Sequence, residues 1–453
     1  MNFESSVTLA PGAIRPGFGV RQRVLVLTHS HPKITRGGAE IAAGSLVRAL
    51  RASGEVEAFL LGCSSKPETE RLGLSLTQPF AEQDFVYQAP SSFDHFKFAN
   101  RDAKFPKILL DLLDEIKPDI VHFHHYTVFG VEAFAIIKRN RPEAKIVLTL
   151  HEFLAICLNH GQMVKTKSLQ LCDAESPMAC SRCFPELGPR DFFLRKAYIR
   201  TFLDYVDLFI SPSQFLADRY IEWGLPRDKL IVLENVPPEL EARPAPTERS
   251  QAQVRVRPVP SVKWSAGRRR PIRIGLFGQL SPLKGIKVLL DAAKELAANK
   301  IENVRIEIFG DYSSQPLEFQ KAVIDALGEV SANVRFHGPY DNSKVHRLMR
   351  AVDAVLVPSI WWENSPVVIQ EALTNRRPVI CSDIGGMAEA VRPGLDGLWF
   401  SVGDSMSLAE VLMEVSRSPE ILTSLEATLR RPRPVEAVAR AHMEAYRAIG
   451  APK

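Results

Sequence analysis

Short apolar runs alternate with longer segments whose apolar positions recur every three or four residues, along nearly the whole chain. The first pattern predicts strands and the second predicts helices laid against them. In the first half this gives strands at 23–28, 56–61, 120–124, 145–150, 208–211 and 230–233, with helices at 39–53, 106–116, 131–139, 191–205 and 215–223. A less regular stretch follows residue 61, and a second irregular excursion spans 152–190. In the second half the pattern predicts strands at 273–277, 305–309, 334–336, 354–357 and 378–381. Helices are predicted at 286–297, 317–329, 343–351, 367–375, 406–416 and 435–449. Strands alternating with helices argue for α/β architecture with parallel sheets.

Between the halves the composition changes. Residues 237–270 are rich in Pro, Arg, Ser and Gln and end in Gly267-Arg268-Arg269-Arg270, so they read as a basic linker with little to bury. The expected organisation is a tail at 1–22, a first domain at 23–236, the linker, a second domain at 271–433, and a closing helix at 434–453 that crosses back. Each domain is doubly wound and Rossmann-like, and such domains bind ligands at the carboxyl ends of their strands, here in a central cleft between the two.

Length and charge narrow the function. A chain of 453 residues exceeds what one core usually holds. Net charge +5 and pI near 8.8 suit an acidic substrate or an anionic membrane surface, and do not mark a dedicated nucleic-acid binder. There is no run long enough to span a bilayer and no basic-then-apolar leader, so the expected location is cytoplasmic, with peripheral contact at the inner face of a membrane as the one membrane role left open.

Six cysteines are few for a secreted scaffold of this length. Cys63 and Cys381 follow strand-like runs and read as small buried residues. Cys157, Cys172, Cys180 and Cys183 cluster in the excursion, the last two as C-x2-C; they are either a structural zinc set or four reduced thiols.

The most informative segment is Trp361-Trp362-Glu363-Asn364-Ser365-Pro366-Val367-Val368-Ile369-Gln370-Glu371. Ser365 suits an N-cap and Pro366 a first helical position, which puts a helix start between two carboxylates. Helix starts attract phosphate and carboxylates accept hydrogen bonds from hydroxyls. The order carboxylate, anion site, carboxylate follows the order sugar, diphosphate, ribose in a nucleotide-sugar.

This segment resembles the E-x7-E motif of the retaining glycosyltransferases of family 4, which have the GT-B fold. Five other segments extend the resemblance over nearly all of 23–449. Gly37-Gly38-Ala39 resembles the loop at the donor diphosphate. Gly278-Gln279-Leu280 with Lys284-Gly285 resembles the G-R-L…K-G segment, with Gln279 in place of the usual arginine. Ile120-Val121-His122-Phe123-His124-His125 and Leu148-Thr149-Leu150-His151-Glu152 resemble the family's two histidine stretches, and Asp383-Ile384-Gly385-Gly386-Met387-Ala388-Glu389 its G-G-x-x-E loop.

The resemblance implies a hexosyltransferase-type enzyme that transfers a sugar from a UDP- or GDP-linked donor with retention. It implies catalytic roles for Glu363, Lys284 and His151, and donor contacts from Gly37, Gly38, Gln279, Asn364, Ser365, Val367 and Glu371. Loops at Gly310, Gly338 and Tyr340 lie near the base and ribose in relatives. Glu363 is expected on the sugar hydroxyls, Glu371 on ribose, and Lys284 with Gln279 on the diphosphate. No cofactor and no metal are expected, because lysine and backbone dipoles stabilise the leaving group. The acceptor is a glycan, a lipid-linked sugar or a small molecule. Two other classes stay open: a non-catalytic nucleotide- or sugar-binding protein, and a Rossmann-type oxidoreductase, for which no G-x-G-x-x-G turn is present.

Overall fold

Apolar strands that bury both faces need helices on each side, and the chain meets that demand twice. The computed structural model of the chain describes residues 21–35, 37–64, 74–89, 93–237, 270–330 and 332–450. Most of the basic segment expected as a linker, and residues 1–20 of the expected tail, lie outside them.

The first sheet contains β1 (Gln22–Thr28), β2 (Val56–Ser64), β3 (Leu76–Ala81), β4 (Asp84–Gln88), β7 (Ile120–Phe123), β8 (Lys145–Thr149), β9 (Leu208–Ser211) and β10 (Leu230–Val232). β5 (Phe93–Asp94) and β6 (Ala99–Asn100) form a separate two-stranded ladder. Strand order is β10-β9-β8-β7-β1-β2-β4-β3, parallel except for the β3–β4 pair at the edge. The second sheet holds β11 (Ile272–Phe277), β12 (Val304–Phe309), β13 (Val334–Gly338), β14 (Ala354–Val357), β15 (Val379–Ser382) and β16 (Gly397–Phe400), in the order β13-β12-β11-β14-β15-β16 and parallel throughout. In both, the chain starts at an inner strand, winds to one edge and returns to the other side, so each domain is Rossmann-like with a switch point at its first strand.

The closing helix Val435–Gly450 packs on the first domain, not the second. Its Val438, Ala439, Met443 and Tyr446 share a core with Val24, Val26 and Leu46, and Tyr446 Oη lies 2.7 Å from His122 Nδ1. Among the described residues no helix is long and apolar enough to cross a membrane.

Local differences from the sequence reading have physical causes. The irregular stretch after residue 61 contains β4 and the edge strand β3, both short, and the edge position of β3 leaves it mixed burial and no clean period. Helix Pro177–Cys183 was not predicted; it buries none of its residues and so carries no apolar stripe. Helices Gly385–Ala390 and Glu420–Thr428 and strand β16 were also missed, each short. The helix expected at 343–351 is a 3-10 turn, Asn342–Lys344, running into Val345–Met349. Pro366, expected as the first helical residue, is itself the cap, with φ −63° and ψ 118°, and the helix begins at Val367. Proline fixes φ but leaves ψ free to stay extended. Ser365 therefore does not cap, and its Oγ meets Gln370 Nε2 at 3.4 Å.

Candidate active site: the cleft between the two sheets

The segments after β1, β8, β9 and β10 face those after β11 and β14 across a cavity of about 500 Å³, lined from the first domain by Gly38 and His151 and from the second by Gln279, Lys284, Glu363 and Val367 among others.

Two loops of the second domain build its charged centre. After β11, a 3-10 turn, Pro282–Lys284, ends at Gly285 with φ 73°. A Cβ at Gly285 would stand 1.7 Å from Pro358 O, so only glycine lets this loop close on the one that follows β14. That approach sets Lys284 Nζ 2.5 Å from Glu363 Oε1. The same oxygen accepts from Ser359 Oγ at 2.8 Å and Trp361 Nε1 at 3.0 Å. Among the described residues all the hydrogen bonds of this carboxylate fall on Oε1, so Oε2 keeps its lone pairs for a ligand. Glu363 is 7% exposed, and three donors offset the cost of burying its charge.

Two helix starts face each other here. Gly38 opens helix Gly38–Ser53, and a Cβ on it would lie 4.0 Å from Val367 Cγ2, at the start of helix Val367–Thr374. Neither helix has a side-chain cap on its first amides, so free N–H groups and two positive dipole ends point toward one volume. Gly37 is the residue before the first of these helices and abuts Glu40. Gln279 lines the cavity while its amide donates to Ser314 Oγ at 2.8 Å.

His151 stands on the opposite wall. Its Nε2 is 3.0 Å from His124 Nδ1, and its backbone oxygen accepts from Asn364 Nδ2 at 2.6 Å, a bond between the domains. Desolvation pushes the His151 imidazole down to about 3, with nearby His125 adding to the effect. Burial also holds His124 and His125 low. The ring at the cavity is therefore neutral at pH 7, a hydrogen-bonding group and not a cation.

Ser365 and Asn364 also line the cavity, whereas Glu371, Tyr340, Gly310 and Gly338 lie outside its lining. Glu371 is one turn beyond Val367 on the same helix, 6% exposed, and desolvation pushes its carboxyl up to about 7. Tyr340 meets Phe277 and Phe309 edge-on at 6.1 and 6.5 Å. Phe277 and Phe309 stack at 5.0 Å, and Phe277 belongs to the cavity wall. Gly310 donates its N–H to Gly338 O at 2.9 Å and packs under Gly278.

One residue of the cleft has a role that its motif did not reveal. Glu389, read as part of a glycine loop, sends its carboxylate across the cleft to accept from Gln214 N at 2.8 Å and Phe215 N at 2.9 Å. These are the first amides of helix Gln214–Trp223, whose Ser213 cap serves only Leu216 N. Beside this bridge Trp362 packs on Phe215 at 5.1 Å, with the Arg219 guanidinium over both rings. Only the acidic residue itself, four positions after the first glycine, was a signal in the sequence.

Comparison with known proteins fits this geometry. Residues 36–236 match the family model described as Glycosyltransferase Family 4, and residues 265–430 the one described as Glycosyl transferases group 1. The D-inositol 3-phosphate glycosyltransferase of Nocardia farcinica is 27% identical over 299 residues, 65% of this chain and 58% of that protein. The lipopolysaccharide 1,2-N-acetylglucosaminetransferase of Salmonella typhimurium is 29% identical over 213 residues, 46% of this chain and 52% of that protein. The matched stretches thus span little more than half the length of these relatives. Among solved structures, Anabaena HepE in complex with UDP and glucose superposes with a TM-score of 0.61 at 17% identity, covering 94% of this chain and 100% of the other. Sucrose-phosphate synthase from Thermosynechococcus elongatus gives 0.63 at 15%, covering 95% and 99%. These two likenesses are of fold.

Proposed function

The chain belongs to the family 4 glycosyltransferases of GT-B fold, and from that membership we propose that it transfers a sugar from a nucleotide-diphosphate sugar to an acceptor with retention of anomeric configuration, in polysaccharide or glycoconjugate assembly. The observation that carries this reading is the meeting, at one interdomain cavity, of an ammonium, a buried carboxylate with a free oxygen and two uncapped helix starts.

The diphosphate sits between the helix starts at Gly38 and Val367, where backbone N–H groups and Lys284 take up the charge that grows as the sugar–phosphate bond breaks. Gln279 adds a neutral donor. Glu363 Oε2 accepts from sugar hydroxyls and so fixes the ring with its anomeric carbon toward the first domain. Neutral His151 hydrogen-bonds the sugar from the other wall. The acceptor oxygen approaches on the face the phosphate leaves: the C1–O bond to phosphate breaks, the C1–O bond to the acceptor forms, and the acceptor's proton passes to the departing phosphate oxygen. No step assigns a metal, since lysine and backbone dipoles supply the positive field, and transfer is expected to continue in EDTA. Glu371, one turn below the diphosphate, holds ribose. Uridine is the first base to test because Anabaena HepE was solved with UDP. The reaction is placed in the cytoplasm, beside the membrane where the acceptor is lipid-linked.

The test is nucleotide release from a panel of UDP- and GDP-sugars, with the anomeric configuration of the product read by NMR. One donor should be consumed, and an α-linked donor should yield an α-linked product. Nucleotide binding without sugar release supports a binding protein instead, and stabilisation by NAD alone supports an oxidoreductase.

A further inference from the structure

We infer that Cys157, Cys172, Cys180 and Cys183 bind one zinc ion as four thiolates, and that this ion fastens the excursion between β8 and helix Pro189–Leu203 to the first domain.

The four cysteines arrive from three separate pieces of chain. Cys157 closes the turn that begins at Phe153, with its N–H on Phe153 O at 2.7 Å. Cys172 lies on the return arm of a small hairpin bridged at Val164 and Leu171, and donates its N–H to Met163 O at 2.8 Å. Cys180 and Cys183 lie on helix Pro177–Cys183, three apart and so on one face. All four are free thiols and all four line one cavity of about 280 Å³, away from the transfer cleft.

Two further observations ask for a bound cation with thiolate ligands. The first is that the helix buries no residue. A seven-residue helix with no fully buried side chain rests on its Ser176 cap and its contact with helix Pro189–Leu203, and its Cys180 and Cys183 face the cavity, where a metal would add a tie. The second is Arg195, which is 2% exposed and gives its three donor groups to Phe96 O, Ala155 O and Leu154 O. Among the described residues no carboxylate stands at ion-pair distance from it. Glu175, which acts on it from farther off, is held by Lys196 and Trp223. A buried guanidinium with only neutral acceptors is costly, and the other anion-forming groups around it are Tyr126, Cys157 and Cys180. A zinc tetrathiolate carries two net negative charges beside it, with Lys165 near Cys172 as a second balancing cation.

Some ligand positions are already prepared. Backbone groups of Asn159 and Met163 hydrogen-bond to the Cys157 sulfur, and that of Ser176 to Cys180, in the sense that favours thiolate. Binding releases four protons, 4 R–SH + Zn²⁺ giving Zn(SR)₄²⁻ and 4 H⁺. Among the described residues no three His, Cys, Asp or Glu side chains already surround a metal position. Binding therefore draws the sulfurs in to the roughly 3.8 Å separation that tetrahedral Zn–S bonds of about 2.3 Å impose. The helix without buried side chains is the part that moves. In doing so, Cys172 gives up its Sγ–H contact to Ala174 O.

The experiment is metal analysis of the full-length protein, purified and reconstituted anaerobically with excess zinc and then desalted. The same is done for Cys180→Ser with Cys183→Ser and for Cys63→Ala. One zinc per chain is expected in the wild type and in Cys63→Ala, and none in the double variant. Cobalt(II) in place of zinc should give the charge-transfer and tetrahedral d–d bands of a tetrathiolate site. Removing zinc should raise amide exchange in residues 157–183 by about tenfold or more, with the rest of the chain unchanged. Wild-type protein with no bound zinc after reconstitution overturns the inference, as does recovery of the four cysteines as disulfides or as an iron–sulfur chromophore. Should the double variant fail to fold, the cobalt spectrum of the wild type decides: an absent thiolate band overturns the site.

Discussion

Lys284 Nζ and Glu363 Oε1 stand 2.5 Å apart, and Ser359 and Trp361 add their donors to the same oxygen. The pair joins a loop after β11 to one after β14, 79 residues away. It fixes the carboxylate so that one oxygen is spent on the protein and the other is kept for substrate. It also places a cation beside the helix start at Val367 before any diphosphate arrives, which is preorganisation in the sense that matters for leaving-group stabilisation.

Replacing Lys284 by alanine, or Glu363 by glutamine, should lower kcat by about 10²- to 10³-fold. The folded state should survive both, because the Lys284 side chain is 41% exposed and glutamine keeps the shape of Glu363. Steady-state kinetics alongside a thermal melt checks this. Turnover near the wild-type rate in either variant removes that residue from the chemistry.

Glu371 sets a pH dependence of stability. Its carboxyl is pushed up to about 7 from 4.5 by desolvation, so between these values the folded chain holds a proton that the unfolded chain has lost. Stability therefore falls as pH rises through that window and levels off above it. The span, 7 minus 4.5, corresponds to about 3 kcal/mol. Glu371→Gln should match the wild type near pH 4.5 and exceed it by up to about 3 kcal/mol at pH 8 in urea unfolding. Saturating nucleotide should shrink that advantage if ribose hydroxyls bond the carboxylate. Parallel pH profiles for the two proteins would rule out Glu371 as the source.

His151 should not titrate in the working range. Desolvation holds it near 3, so ¹⁵N shifts of its ring should report a neutral imidazole from pH 5 to 8 in the free protein, and the rate profile should have no limb from it. His151→Ala should cost roughly tenfold in kcat/KM, the worth of about one hydrogen bond. An imidazolium signal at pH 6 would contradict the neutral role.

Glu389 should govern how the two domains meet. Glu389→Ala leaves the Gln214 and Phe215 amides without their partner, at a cost of about 1 kcal/mol for a lost helix cap. We expect KM for the donor to rise several-fold with kcat little changed, and small-angle scattering to show a larger radius of gyration. An unchanged KM and radius would make the bridge incidental to closure.

What the sequence determined by itself is the local order of the molecule. Hydrophobic period depends on which face of a segment is buried, and that is written residue by residue, so most strands and long helices are legible within a few positions, as β11 and helix Ile286–Ala298 show. The motif residues are legible too, because a helix start beside a carboxylate has a short-range signature. Partner choice is not. The period of helix Gln214–Trp223 says that Leu216 and Tyr220 are buried, and says nothing of a carboxylate 175 residues later that completes its N-terminus. Asn364 reaches His151 O across 213 residues and Tyr446 reaches His122 across 324. Helix Pro177–Cys183, with no buried face, left no pattern to read. Which surfaces meet is decided by the shapes and dipoles of whole packed layers, and those exist only once the chain has folded.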